Sequence, residues 1–149
     1  MSTTSPDTQA RIAELKNAPV RVRRVAGVGA LLGLILLLRF CASAFAGHLT
    51  WGRAIASGIV QFLLFWFLSF SVQDRRWWGW WSLLVLIILH IRGTLGHTMR
   101  LVRITIERGL AAHGREIAFD VVGVAQFIVN GLLLWLLFSK DVRDYVRSL

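Results

Sequence analysis

Residues 54–72, AIASGIVQFLLFWFLSFSV, run for nineteen positions without a charged side chain. Residues 121–139, VVGVAQFIVNGLLLWLLFS, do the same. At about 1.5 Å rise per residue, a helix of this length crosses a hydrocarbon core of roughly 30 Å. Two such stretches in a chain of 149 residues, 56% of which are hydrophobic, predict an integral membrane protein.

Two weaker apolar stretches complete the pattern. Residues 25–46 are uncharged except for Arg39, and residues 77–91 begin with a cluster of tryptophans, which are enriched at membrane interfaces. The second of these stretches reaches a spanning length if it continues to about residue 97. The sequence therefore predicts an all-α integral membrane protein with a polar N-terminal tail, residues 1–19, and one membrane domain, residues 20–149. Its four transmembrane helices are expected at about residues 25–46, 54–72, 77–97 and 117–138.

The segment after the third span is amphipathic. Five apolar residues recur there at helical spacing, with Arg100 and Arg103 to the side. They are Leu95, Met99, Val102, Ile106 and Leu110. We expect an amphipathic helical segment between the third and fourth spans, which either lies at the interface or extends the third span. An alternative with three spans makes residues 77–116 an interfacial hairpin.

The formal net charge of +9 comes from lysines and arginines that flank the apolar stretches. Because they form no separate basic domain, we expect contacts with anionic lipids and none with nucleic acid. Of the 17 lysines and arginines, ten lie on one side of the membrane in the four-span topology, six lie on the other, and Arg39 lies inside a span. This bias predicts that both termini are cytoplasmic.

Polar side chains at membrane depth are costly to insert, so they are candidates for function. They are Arg39, Gln61, Asp120, Gln126 and Asn130. The last three give the fourth helix a polar face, which is typical of interhelical hydrogen bonds, the favoured interpretation, or of a proton or substrate path. For Arg39 three alternatives stay open: an ion pair with Asp120, contact with headgroups, or contact with an anionic ligand or partner subunit.

Glycine and histidine residues indicate two further features. Gly29 and Gly33, four positions apart, permit the close approach of a second helix, in the same chain or in another copy. His48, His90 and His97 lie toward one side of the predicted topology, where imidazoles from facing helices could hold a b-type haem. Hydrogen bonds from these histidines to headgroups or backbone are the simpler interpretation. Neither a cofactor nor a metal is therefore predicted, and haem b stays an alternative.

Residues 75–78, RRWW, enter one span, and residues 130–138, NGLLLWLLF, leave another ahead of residues 141–145, DVRDY. These segments, about a third of the chain, resemble a pattern in small four-span bacterial inner-membrane proteins of unassigned function. The resemblance implies the architecture and a bacterial inner membrane, and it implies no activity.

No motif with paired carboxylates or with metalloprotease spacing is present, so an enzyme is not expected. We expect a small accessory or scaffold subunit of a larger membrane protein assembly, in contact with another membrane protein or with a second copy of itself. The alternatives are a membrane redox protein that binds b-type haem or quinone, and a small transporter or channel.

Overall fold

The structure is a computed structural model that describes residues 5–108 and 114–148. Helices account for nearly all of these residues, and no strand occurs among them. The helices, in chain order, are α1 (Pro6–Lys16), α2 (Val20–Phe45), α3 (Trp51–Gln73), α4 (Trp77–Arg108), α5 (Gly114–Phe138) and α6 (Lys140–Arg147).

Four of these helices, α2 to α5, are long and apolar enough to cross a membrane. The prediction of an all-α protein with four transmembrane helices is confirmed. Helix α4 runs without interruption from the tryptophan cluster to Arg108, so the amphipathic segment extends the third span. The alternative of a hairpin is therefore wrong for residues 77–108, while Leu110 lies outside the described residues.

The ends of α2 are set by local backbone chemistry. The helix begins at Val20, five residues before the predicted start, directly after Pro19. Arginine is a good helix former, so the basic stretch at residues 21–24 extends the helix beyond its apolar part. At the other end Gly47 adopts φ +82°, which glycine tolerates, and the His48 N–H donates to the Ser43 carbonyl at 2.9 Å.

The four long helices alternate in direction along the chain and form a bundle. Helix α2 packs most extensively on α3 and also on α5, whereas α4 packs on α5 and much less on α3. The α2–α3 contact is close because Gly29 faces Ser69 and Gly33 faces the Phe62 backbone, 3.1 Å from the position a Cβ would take. These two glycines therefore adjoin a helix of the same chain.

One end of the bundle, here called the cap end, is covered by the short helix α6. Val142, Tyr145 and Val146 of α6 are buried in the hydrophobic core. The Tyr145 hydroxyl donates to the Gln73 carbonyl at 3.1 Å, and the Trp80 indole donates to the Leu137 carbonyl at 3.1 Å. Sequence analysis assigned no structure to this charged tail, although its apolar residues have helical spacing.

Candidate functional site

Arg39 points into the bundle from the half of α2 that lies away from the cap end. Its Nη1 donates a hydrogen bond to Gln126 Oε1 of α5 at 2.7 Å, and its guanidinium carbon lies 5.6 Å from the centroid of the Phe119 ring. Of the alternatives left open for Arg39, a direct ion pair with Asp120 is wrong. The hydrogen bond goes instead to a neutral amide that lies six residues further along α5.

Asp120 is almost fully buried on α5, with 1% of its surface exposed. Its Oδ1 lies 3.4 Å from His97 Nδ1 of α4, which is ion-pair range but longer than an ordinary N–H···O hydrogen bond. Neither carboxyl oxygen has a hydrogen-bond partner among the described residues. The approach of α4 depends on Gly123, because a Cβ there would lie 3.2 Å from the His97 Cβ.

His90 lies about two helical turns nearer the cap end than His97. Two contacts fix the orientation of its ring. Its Nδ1 lies 2.8 Å from the Leu86 carbonyl oxygen, and its ring meets the Phe65 ring edge-on at 5.2 Å. A carbonyl oxygen only accepts, so Nδ1 carries the hydrogen. In the neutral imidazole, Nε2 is then an acceptor.

A cavity of about 220 Å³ opens beside Arg39. Its polar lining comes from Arg39, Ser43 and His90. Its apolar lining comes from Leu36, Phe40, Leu49 and Phe119. Such a volume is below the roughly 300–1,000 Å³ of most small-molecule pockets, so it suits a headgroup-sized fragment of a ligand.

Several buried amide atoms near the middle of the bundle lack partners. Both side-chain amide atoms of Asn130, Gln126 Nε2 and Gln61 Oε1 have no hydrogen bond within the described parts of the chain. An unpaired buried polar group costs about 1–3 kcal/mol. Interhelical hydrogen bonding, the favoured interpretation of the polar face, thus accounts for one amide oxygen of Gln126 and leaves Asn130 unexplained. Together with Arg39, His90, His97 and Asp120, these residues form what is here called the polar half.

The three histidines considered as haem ligands occupy different surroundings. His48 is exposed, with its ring 5.8 Å from that of Phe119, and His97 meets the same phenylalanine at 4.9 Å. His90 instead faces the cavity. Within residues 5–108 and 114–148, no group of three or more His, Cys, Asp or Glu side chains is arranged to hold a metal ion. Haem needs only two imidazoles, so it stays an alternative that an absorption spectrum would test.

Two residues of the site were missed by sequence analysis. Ser43 follows Arg39 by four positions and so shares its helical face, a signal that was available. Phe119 directly precedes Asp120 and contacts Arg39, yet its sequence position gives no sign of this role. The contacts of Phe119 depend on how α2, α4 and α5 pack.

Comparisons of the chain with protein-family models, with curated proteins and with solved structures find no match. Its function is therefore inferred from its own residues and their geometry.

Proposed function

We propose that this protein is a small accessory or scaffold subunit of a larger membrane protein assembly, and that the far end of α4 is its contact surface. The observation that carries the proposal is the length of α4. Its 32 residues extend for about 48 Å, whereas the hydrocarbon core measures roughly 30 Å. With the tryptophan cluster at one interface, the helix leaves the hydrocarbon near residue 97.

Beyond that point α4 keeps an apolar stripe that the bundle does not cover. Met99, Val102 and Ile106 are 66%, 52% and 79% exposed. A helix that lies on a membrane places its apolar face against the lipid, whereas this segment continues a spanning helix. Its stripe is then directed sideways at headgroup depth or beyond, where a protein surface is the better cover.

The charge beside the stripe indicates the chemistry of the partner. Arg100 and Arg103 are exposed there, and Arg103 lies 3.4 Å from Glu107 one turn further on. We expect a partner with an apolar groove and an acidic rim, because complementary charge favours encounter and register. Such a helix-in-groove contact uses anchors at helical spacing, which Met99, Val102 and Ile106 supply.

Photo-crosslinking in native membranes tests this proposal. A photoreactive residue at Met99 or Ile106 should give one discrete protein adduct, and a reciprocal crosslink from that protein should recover this chain. Ile59 of α3, which is 46% exposed in mid-span, is the matched control and should give lipid adducts only. Lipid adducts alone at Met99 would indicate an interfacial helix, and adducts to this same chain would indicate a homo-oligomer; either result contradicts an accessory subunit.

The proposed location is a bacterial inner membrane with both termini cytoplasmic. Ten lysines and arginines against six support this orientation, and the resemblance noted above supports the membrane. Helices α2 and α6 meet at the cap end, where Arg21 lies 3.4 Å from Asp141, so the two terminal segments share one side. A reporter fused after Leu149 should be cytoplasmic and one inserted at Gly109 external. Reporters on the same side would contradict the four-span topology, and the reversed arrangement would contradict the orientation.

A further inference from the structure

The cavity beside Arg39 places a guanidinium, a hydroxyl and the His90 imidazole in an otherwise apolar and aromatic wall. We propose that this cavity binds an oxyanion, a phosphate or carboxylate group, carried on an apolar chain. The cavity lies between α2, α4 and α5 and is separate from the exposed stripe of α4.

Arg39 has hydrogen-bonding capacity that its protein contacts do not use. A guanidinium carries five N–H donors in a planar fork that matches the oxygens of a phosphate or carboxylate. Among the described residues, the hydrogen-bond partner of Arg39 is the neutral Gln126 side chain. That bond fixes the orientation of the guanidinium. The Asp120 carboxylate attracts the guanidinium from a distance without forming a direct ion pair, so donors of the fork stay available to a ligand.

The wall around Arg39 suits an oxyanion with a chain attached. Ser43, one helical turn beyond Arg39, lines the same cavity, and its hydroxyl can donate to a second ligand oxygen. His90 also lines the cavity, and its Nε2 can accept the O–H of a singly ionised phosphate. The remaining surface, provided by Leu36, Phe40, Leu49 and Phe119, suits apolar atoms. An inorganic anion alone would leave this apolar wall uncovered.

The depth of Arg39 gives an amphiphilic ligand a short path. Arg39 is six residues from Phe45, the end of α2, which corresponds to about 9 Å along the helix. The charged group therefore enters from the nearby headgroup layer without crossing the bilayer centre, while its chain stays in apolar surroundings.

Asp120 lies close enough to oppose the ligand. It is the buried acid of the polar half, and its carboxylate attracts the Arg39 guanidinium while repelling an anion in the cavity. Replacing it by Asn removes that negative charge and keeps the shape of the side chain. Asp120→Asn should therefore strengthen binding, which a purely structural role of Arg39 does not predict.

Calorimetry on the full chain in neutral maltoside micelles tests the proposal with hexyl phosphate as probe. We expect saturable binding that Arg39→Gln weakens about tenfold or more, since one charge-assisted hydrogen bond has this effect. Ser43→Ala should weaken it less, and Asp120→Asn should tighten it. Arg92→Gln, at an exposed site on α4, is the matched control and should leave binding unchanged.

Two further probes separate the sources of the oxyanion. Binding of hexyl phosphate without binding of inorganic phosphate supports a lipid or fatty amphiphile, and equal binding of both would overturn the requirement for an apolar chain. Equal binding of hexanol, or no loss of binding in Arg39→Gln, would overturn the proposal. If Arg39→Gln loses its helical circular dichroism, Arg39→Lys supplies the test, because it keeps the charge and removes the fork. Unchanged binding in both Arg39→Lys and Ser43→Ala would also overturn the proposal.

Discussion

The cap end and the polar half differ in how fully their buried polar groups are paired. At the cap end the Trp80 indole and the Tyr145 hydroxyl each donate to a backbone carbonyl of another helix. In the polar half the buried oxygens of Asp120 and the amide of Asn130 have no hydrogen-bond partner among the described residues. The polar half thus combines one interhelical hydrogen bond, from Arg39 to Gln126, with buried polar atoms that have none, as expected where a site for another molecule lowers stability.

The largest effect on stability is expected from Trp80→Ala at the cap end. Trp80 is 4% exposed, stacks on Trp77 at 5.2 Å and donates to the Leu137 carbonyl at 3.1 Å. Its loss leaves a cavity and an unpaired carbonyl, so the free energy of unfolding should fall by about 3 kcal/mol or more. Titration with SDS in mixed micelles, followed by circular dichroism, measures the change.

Trp81→Ala is the matched control for this prediction. Trp81 is the next residue of the same helix, but it is 49% exposed on the outer surface of the bundle. Its removal should change the free energy of unfolding far less than Trp80→Ala. Equal effects would show that general interfacial anchoring, and not the specific contacts of Trp80, stabilises the cap end.

The next effect concerns the α2–α3 contact that joins the two regions. In Gly29→Ala the new methyl group would overlap the Ser69 hydroxyl and lie 2.6 Å from the Ser69 Cβ, so the helices must separate. Overpacking of this kind costs about 1–3 kcal/mol. In Gly27→Ala nothing lies within 4 Å of the new Cβ, and the better helix propensity should stabilise by about 0.5–1 kcal/mol. In SDS titration, a lower free energy of unfolding for Gly29→Ala and a higher one for Gly27→Ala would confirm the contact. Changes of the same sign would contradict it.

The contrast between the two regions also explains what sequence could predict. Uncharged stretches specify spans because the bilayer fixes their length, so the four helices and the polar side chains inside them were predictable. The continuity of α4 was left open, because periodicity alone does not separate an extension of a helix from an interfacial helix.

The partners of the polar side chains were less predictable than their presence. The positions of Arg39 and Asp120 along their helices predict similar depths in the bilayer. Depth does not specify how each helix is rotated about its axis, and so does not specify which side chains meet. In the structure Gln126 faces Arg39 while Asp120 faces His97. Which side chains meet depends on the contact of α5 with α2 and α4, and so on packing that no local pattern records.

A double-mutant cycle tests the pairing of Arg39 in the polar half. Arg39→Met and Gln126→Leu should each destabilise, and the double variant should cost less than their sum by about 1–2 kcal/mol, because the hydrogen bond involves a charged donor. The control cycle with Asp120→Asn should show a smaller coupling, since no direct hydrogen bond joins that pair. A larger coupling of Arg39 to Asp120 would show that these two residues form an ion pair, which the structure does not contain.

The smallest expected effect separates the two regions most sharply, because here the loss of a polar side chain should raise the free energy of unfolding. Asn130 is fully buried, and neither its amide nitrogen nor its amide oxygen has a partner in the described part of the chain. Leucine has the same number of side-chain heavy atoms, branched at the same carbon, and no polar atoms, so Asn130→Leu removes an unpaired group without leaving a cavity. We expect a gain of up to about 1 kcal/mol in the free energy of unfolding. The matched control is Tyr145→Phe at the cap end, where the hydroxyl donates to the Gln73 carbonyl at 3.1 Å and its removal should give a loss. If Asn130→Leu destabilises as well, a partner outside the described residues, or a water bridge, satisfies Asn130. The polar half would then be held together by polar atoms, as the cap end is.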